Sequence, residues 1–394
     1  MAIDDSNSPP EFNNPRPIVP SSNSAGSSMT DDTNTIFQTG SIGSITSAIG
    51  NSIYGINHRQ TPGAIQINKD FFGLTFFTRP ELNLTTENVR SVRQLAPLLT
   101  NNEYSIQRII RCLLDRNLAS NSNIKSQLVD NEQAFIPMLT NHLLSISGWP
   151  DVVAPTLTSQ EGIYKEAFSL IDGVTVNYST YDIQANFRNI PGDPITLLFL
   201  VWIHYASYVY QGVMVPYPDK IIENEVDYNT RIYRLVLDNS KRFIKKIAAT
   251  GAAFPTSSPI GAAFNYEHDK PINSSNDQIS IPFRCMGALY QDDILIDEFN
   301  RTTAFFNGPM DADAIAIEKR LANIQLNAKK EEVSSQAFRN KIKMANKGNM
   351  YTKIDVDELA LFNNKGYPHI NIDTYELGWY VSNDVYNYML PLLA

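Results

Sequence analysis

The spacing of apolar side chains along this chain changes period several times, and each change predicts an element. The stretch "GLTFFTRPELNL" is rich in strand formers and carries Pro80, so it predicts an edge strand, a bend and a short continuation. "TTENVRSVRQLAPLL" predicts a helix capped by Thr85 or Thr86, with Glu87 near the positive end of its dipole and Pro97 ending or kinking it. In "SIQRIIRCLLDRNL" Ile106, Ile109, Ile110, Leu113 and Leu114 share one face while Arg108, Arg111 and Arg116 fall elsewhere. That pattern predicts an amphipathic helix starting at Ser105, its arginines forming a solvated or inter-subunit face. A further helix is predicted over roughly 131–145, before the turn residues of "SGWPDVVAP" break the chain.

Beyond that break the period shortens. "GVTVNYSTYDIQANF" alternates as β sequence, and "RNIPGDPITLLF" then puts Asp193 at an N-cap with Pro194 at the first helical position, where its missing N–H costs nothing. The helix it opens runs to near Gly212. From Pro194 to Pro218 there is no formal charge, and the length is close to the ~20 residues that span a bilayer. His204, Gln211, four tyrosines and the lack of a flanking Lys or Arg cluster make it a buried helix instead. "YNTRIYRLVLDNS" places Tyr233, Leu235 and Leu237 on one face, and "RFIKKIAATG" resumes after a polar turn at 238–240, which predicts two adjacent antiparallel strands. "IGAAFNY" and "QISIPFRCMGALYQD" read as further strands. Near the C-terminus "DADAIAIEKRLANIQLNAKKEEVSSQAFRNKIKMANKG" predicts a long charged helix with a narrow seam of Ile317, Leu321, Ile324 and Ala328, suited to lying along another chain or to packing on its own domain. "YELGWYVSNDVYNYMLPLLA" adds Trp379, Tyr380, Tyr386, Tyr388 and Leu390 as candidate anchors for a neighbour's pocket.

Composition sharpens this picture at the N-terminal side. Residues 1–33 are mostly Ser, Asn, Asp and Pro, too poor in large apolar groups to offset the entropy of ordering, so a disordered arm is expected. Ile42, Ile45, Ile49 and Ile53 then recur at helical intervals, while Gly40, Gly43 and Gly50 weaken an isolated helix by ~1 kcal/mol each. Such a segment orders on a partner or serves as a linker. With 41 acidic and 32 basic residues the net charge is −9, which opposes general nucleic-acid binding. Cys112 and Cys285 sit in separate apolar runs and read as buried free thiols in a reducing compartment. The opening "MAIDDSNSPPEFNN" has neither a basic start nor an apolar stretch, so no secretory signal is expected and the cytoplasm is the expected site of synthesis.

Candidate chemistry is sparse. "GAAFPTSSPIG" gathers Gly251, Gly261 and three hydroxyl residues into one loop, which raises a phosphate cradle, but Pro255 and Pro259 remove donors, no lysine follows Gly261, and the next segment reads as strand. It is a connection within a sheet. His58, His142, His204, His268 and His369 are scattered, with no zinc spacing. The acidic groups Asp292, Asp293, Asp297 and Glu298 lack the pattern of a calcium loop, and Asp355 with Glu358 reads as a capping pair. No serine sits in a G-x-S-x-G elbow. No cofactor, metal or catalytic residue is therefore expected. "KRFIKK" is the dense basic cluster, with Lys245 and Lys246 as candidate subunit contacts toward the acidic groups near Asp292.

From about 170 to 292, "DGVTVNYS", "FRNIPGDPITLLFLVWIHY", "DYNTRIYRLVLD", "IAATGAAFPTSSPIG" and "DQISIPFRCMGALY" resemble in order and spacing the phage tail-tube proteins and tube proteins of contractile injection systems, with "FTRPELNL" similar to their opening strand. The resemblance covers about a third of the chain. It implies an α+β fold with an antiparallel β-barrel or sandwich of tail-tube type, an inserted helical region and C-terminal helices. The expected division is a flexible arm over 1–68 that orders on partners, a tube-like β domain over 69–300 with a helical insertion at about 85–148, and a helical assembly region over 301–394. The function it implies is that of a structural virion component, made in the host cytoplasm, that forms a ring (commonly a hexamer) in a tail tube or an adjacent baseplate or neck. Its partners would be copies of itself and other tail or baseplate proteins, with DNA only as passing cargo and no membrane. The expected contacts are Ile42, Ile45, Ile49, Ile53, Lys245, Lys246, Ile317, Leu321, Ile324, Trp379 and Tyr386. A baseplate-associated hydrolase using Asp and Glu, and a capsid or decoration protein, are the rival readings.

Overall fold

A computed structural model of the chain describes residues 72–120, 124–173, 179–264, 268–269, 277–328, 348–359, 361–362 and 365–393. The chain divides into two units, 1–69 and 70–394. Ile42, Ile45, Ile49 and Ile53, and the expectation of an arm that orders on partners, lie outside the described residues.

Alternating burial builds the main sheet. In strand β5 (Thr180–Arg188) Ile183, Ala185 and Phe187 are buried between exposed Asp182, Gln184 and Arg188. Strand β8 (Gln278–Tyr290) likewise buries Ile279, Ile281, Phe283 and Cys285. With β1 (Phe72–Phe77), β2 (Leu143–Ser147), β6 (Ile232–Leu237) and β7 (Ile244–Pro255) they form an antiparallel sheet in the order β1-β6-β7-β8-β5-β2. The β6–β7 pairing follows the sequence pattern, and β1 is the edge strand its proline predicts. β7 runs through the first half of the glycine-rich connection. A Cβ on Gly251 would stand 2.7 Å from the Met286 carbonyl oxygen of β8, so the glycine serves close strand approach. Ile260–Phe264, predicted as strand, is a 3-10 turn.

The sheet is open, which corrects the expected closed barrel. β1 and β2 stand at opposite edges, and the apolar face is covered by helices in place of a second curved half. Chief among these is α4 (Pro194–Tyr210), whose Phe199 ring lies 5.7 Å from Phe187 and 5.6 Å from Phe283. Trp202 donates its indole N–H to the Tyr228 carbonyl at 2.8 Å, which satisfies a polar atom the burial would otherwise strand. Among the described residues no helix is long and apolar enough to cross a membrane. Asp193 precedes Pro194 as predicted but does not cap. Its backbone is left-handed at φ 48, and its carboxylate accepts from Asn189 Nδ2 at 2.5 Å.

The inserted region departs from the predicted helices in three places. α1 (Thr86–Arg90) gives way at Ser91, and Arg93–Leu99 continues as a 3-10 helix containing Pro97. α2 (Ile106–Leu114) is capped by Ser105, whose Oγ accepts from the Arg108 amide at 3.3 Å. Its Arg108 and Arg111, expected on a solvated or inter-subunit face, are buried within the protomer. Arg108 Nε donates to the Ile124 carbonyl at 2.9 Å and Arg111 Nε to the Leu84 carbonyl at 2.9 Å. Loop carbonyls brought from elsewhere in the chain make burial tolerable. The helix expected at 131–145 shrinks to α3 (Pro137–His142), because the next residues pair with β5 as β2.

The region after 300, expected to be helical, contains a second sheet. After α5 (Pro218–Glu223), α6 (Ile294–Phe306) and α7 (Gly308–Ala328), strands β9 (Tyr351–Ile354), β10 (Tyr367–Ile370) and β11 (Leu377–Ser382) pair antiparallel in the order β10-β11-β9, and α8 (Asn383–Leu393) closes the chain. Phe299 of α6 stacks on Phe135 at 4.8 Å and meets Phe76 of β1 at 5.3 Å edge-on. Trp379 of β11 lies 6.2 Å from the same Phe76 ring. The C-terminal residues therefore share a core with the main sheet.

Candidate assembly surface

Most of the predicted contact residues in the C-terminal region are taken up by the fold. Ile317 is fully buried beside Tyr351, Tyr367 and Tyr380, and Leu321 packs at the margin of that cluster. Trp379 is also buried, and Tyr386 stacks on Phe362 with ring centroids 5.5 Å apart. Ile317 and Trp379 are thus core residues of the protomer and not surface anchors. Ile324 is half-buried. The rest of the long helix predicted beyond Ala328 lies outside the described residues.

The same cluster holds His369. Its Nε2 is 3.2 Å from Asp311 Oδ1, and its Nδ1 is 3.4 Å from Glu318 Oε1, an ion-pair distance without hydrogen-bond alignment. Burial alone lowers the imidazole's affinity for a proton, but the two carboxylates outweigh it and the pKa is raised. Tyr380 Oη donates to Glu318 at 3.0 Å and Asn371 Nδ2 at 2.9 Å, so the carboxylate is held from three sides.

Lys245 and Lys246, by contrast, are exposed, and both engage other groups of the chain. Simple alternation would put them on opposite faces. A bulge between Val236 and Leu237 of the partner strand pairs Lys246 with Val236 and Ile244 with Leu237, leaving Lys245 unopposed and both side chains outward. Beside them Lys241 Nζ lies 5.0 Å from the Phe72 ring centre, and Phe243 is 44% exposed. The result is a surface where cations and aromatic rings alternate.

A second surface went unread in the sequence. β3 (Thr156–Thr158) and β4 (Ser169–Ile171) form an isolated two-stranded hairpin, and every residue from Asp151 to Gly173 is exposed. Ile163 is 96% exposed, Tyr164 90% and Phe168 72%. Its root is fixed where Trp149 packs on Tyr290 at 6.2 Å and Tyr290 Oη donates to the Pro150 carbonyl at 2.5 Å. Short alternations around Leu157 and Leu170 with Gly162 between them are the signal that was available, but each strand is only three residues long. The sheet offers a third feature. Among the described residues no strand pairs with the outer edge of β1 or of β2.

The carboxylates that could have served chemistry are engaged structurally. Glu298 pairs with Arg231 at 2.6 Å, Asp297 with Arg301 at 2.7 Å, and Asp293 accepts from Tyr375 Oη at 2.8 Å. Asp355, expected to cap, makes no side-chain cap bond and meets Arg242 at 3.1 Å. Asp115 is pushed up to about 6 by burial, against bonds from Tyr217 Oη and the amides of Leu84 and Asn117. These bonds tie loops together inside the helical region. A depression of about 270 Å³ beside Gly251 is wide open and lined by Thr230, Arg231, Val226 and Ala252, with its one cation already paired to Glu298. Among the described residues no group of three or more His, Cys, Asp or Glu could hold a metal ion.

A family model described as "Putative phage tail tube protein" matches residues 19–392. No curated protein matches the chain. Among solved structures it is similar to a chain of the anti-feeding prophage cap, a tube terminating cap, at 15% identity over 40% of this chain and 82% of that one, with a TM-score of 0.25. The sheath/tube terminator of an extracellular contractile injection system in its extended state is 17% identical over 40% and 88%, with a TM-score of 0.22. A chain of that system's sheath-tube complex is 16% identical over 44% and 95%, with a TM-score of 0.24.

Proposed function

The chain belongs to the phage tail tube protein family, and from that premise we propose that it is a ring-forming subunit of a tail tube, or of a tube-adjacent baseplate or neck structure. It acts through subunit contacts. The observation that carries the reading is the hairpin at 151–173, whose large apolar side chains stand in solvent on both sides of its turn. An isolated two-stranded hairpin is marginal by itself, and contiguous apolar surface of this kind marks a contact with another chain. The two edges of the main sheet that stand open among the described residues support lateral neighbours, since a head-to-tail contact that closes on itself makes a ring. Six copies is the ring size implied by the sequence resemblance. DNA passing through would be cargo, and a net charge of −9 opposes its adhesion.

The test is the solution mass of the purified chain by multi-angle light scattering, with negative-stain imaging of large species. Rings or short tubes with a central hole are expected. Replacing 156–171 by a short Gly-Ser turn should leave a folded monomer. A wild-type chain that is monomeric at every concentration would overturn self-assembly.

A further inference from the structure

We propose that α7 is a pH-dependent latch: it closes on the second sheet while His369 bridges Asp311 and Glu318, and it lets go as the pH rises. The latch is a property of the protomer and stands whether or not copies form a ring.

Little apolar surface holds α7 in place. Among its described residues the buried ones are Met310, Ala314 and Ile317, which face Tyr351, Tyr367 and Tyr380 with Leu321 at the margin. Further along, Ala322, Asn323 and Leu326 are exposed. Asn307 alone separates α7 from α6, and its φ of −138 takes it out of the helical range, so a pivot lies there. Tyr351 Oη donates to Asn307 Oδ1 at 2.8 Å, which keeps the pivot attached to the sheet.

The polar fastening sits beside that narrow stripe. Nε2 of the buried His369 faces Asp311 Oδ1 at 3.2 Å and Nδ1 faces Glu318 Oε1 at 3.4 Å. A neutral imidazole has one N–H, so its other nitrogen would turn a lone pair toward a carboxylate; the imidazolium alone presents N–H to both. Asp311 and Glu318 stand about two turns apart on α7, on either side of Ala314, so one charge fastens the helix at two points. When that charge is lost, Glu318 keeps Tyr380 Oη and Asn371 Nδ2 as donors, whereas Asp311 has no other partner among the described residues.

The groups around the imidazole keep their charge state through neutral pH. Lys353 of β9 is paired with Glu376 at 3.0 Å. Burial and then Glu318 push the Tyr380 phenol well above its ordinary value, and burial raises Tyr351 and Tyr367. α6 presents the uncharged Asn300 and Thr303 to the Ile370 and Pro368 carbonyls of β10. For His369 burial acts downward, and the two carboxylates overcome it, so the closed latch binds its proton more tightly than the open one. Opening is therefore held down below the ordinary histidine value of about 6.5, becomes about tenfold easier per pH unit up to the raised value, and levels off beyond it.

Hydrogen exchange of the full chain tests the latch, read by mass spectrometry on α7 peptides from about pH 6 to about pH 9 and corrected for the intrinsic rate. Protection of α7 should fall by up to about tenfold per pH unit above the ordinary histidine value, while β5 and β8 keep theirs. His369→Gln puts a donor on one side and a carbonyl on the other, so α7 should be equally open across the range. Asp311→Asn should move the fall to lower pH. A wild-type α7 profile that is flat in pH, or one that survives unchanged in His369→Gln, overturns the latch. Loss of protection in β8 in step with α7 overturns release of the helix alone. Should His369→Gln fail to fold, Asp311→Asn decides, and a profile it leaves unshifted overturns the bridge.

Discussion

At the scale of single residues, buried arginines do work that their sequence positions conceal. Arg79 donates from Nε to the Leu113 carbonyl at 2.8 Å, from Nη2 to that of Cys112 at 2.9 Å, and from Nη1 to those of Asp130 and Gln133 at 3.2 Å each. One guanidinium thus joins the end of α2 to the loop before α3. Burial lowers its pKa to about 10, opposed by Asp130, which leaves it charged at neutral pH. Arg79→Ala should cost about 3 kcal/mol or more in urea unfolding, because the carbonyls are left without donors. Arg79→Lys should recover little of that, since an ammonium cannot reproduce the planar fork. A lysine variant as stable as wild type would show that charge alone suffices. Arg108 and Arg111 follow the same logic, and this explains why their burial was illegible. Spacing along α2 sets which side they leave the helix, but the acceptors that bury them come from loops whose positions only the fold fixes.

At the scale of elements, legibility tracked the clarity of the period. β5, β6 and β8 alternate cleanly, and α4 is apolar on every side, so their types could be read from the chain. The second sheet could not. β9 and β10 are four residues each, and β10 is buried at all four positions and carries Pro368, which is tolerable only because β10 lies at the sheet's edge. The hairpin at 151–173 was missed for a related reason, its strands being shorter than any periodic window can register. Packing of α7 against the second sheet carries its own prediction. His369 of β10 lies between Asp311 and Glu318 of α7, with Tyr380 of β11 ring-to-ring at 5.9 Å and Lys353 of β9 paired to Glu376 at 3.0 Å nearby. Because its folded pKa is raised, the stabilisation is fully present below the ordinary histidine value and is lost as pH rises through the raised one. His369→Gln should therefore cost about 2 kcal/mol at pH 6 and progressively less at alkaline pH, read from thermal melts across that range. Parallel wild-type and variant curves would show that the imidazole stays neutral in the fold.

At the scale of the whole molecule, the apolar side chains left in solvent are what the protomer cannot account for alone. The cores of 70–394 are closed by helices on one side of the main sheet and by the second sheet with α6, so among the described residues the hairpin and the outer edges of β1 and β2 are surfaces left uncovered. If copies cover them, folding and assembly are linked. Association that favours the folded chain over the unfolded one raises apparent stability with protein concentration, by about 1.4 kcal/mol for each tenfold rise in the occupancy term. The melting temperature of the wild type should accordingly climb as concentration increases a hundredfold, while the chain lacking 156–171 should melt at one temperature throughout. Differential scanning fluorimetry over that range checks it. A concentration-independent wild type would mean that the hairpin is tolerated in solvent, and that its partner is a different protein of the tail.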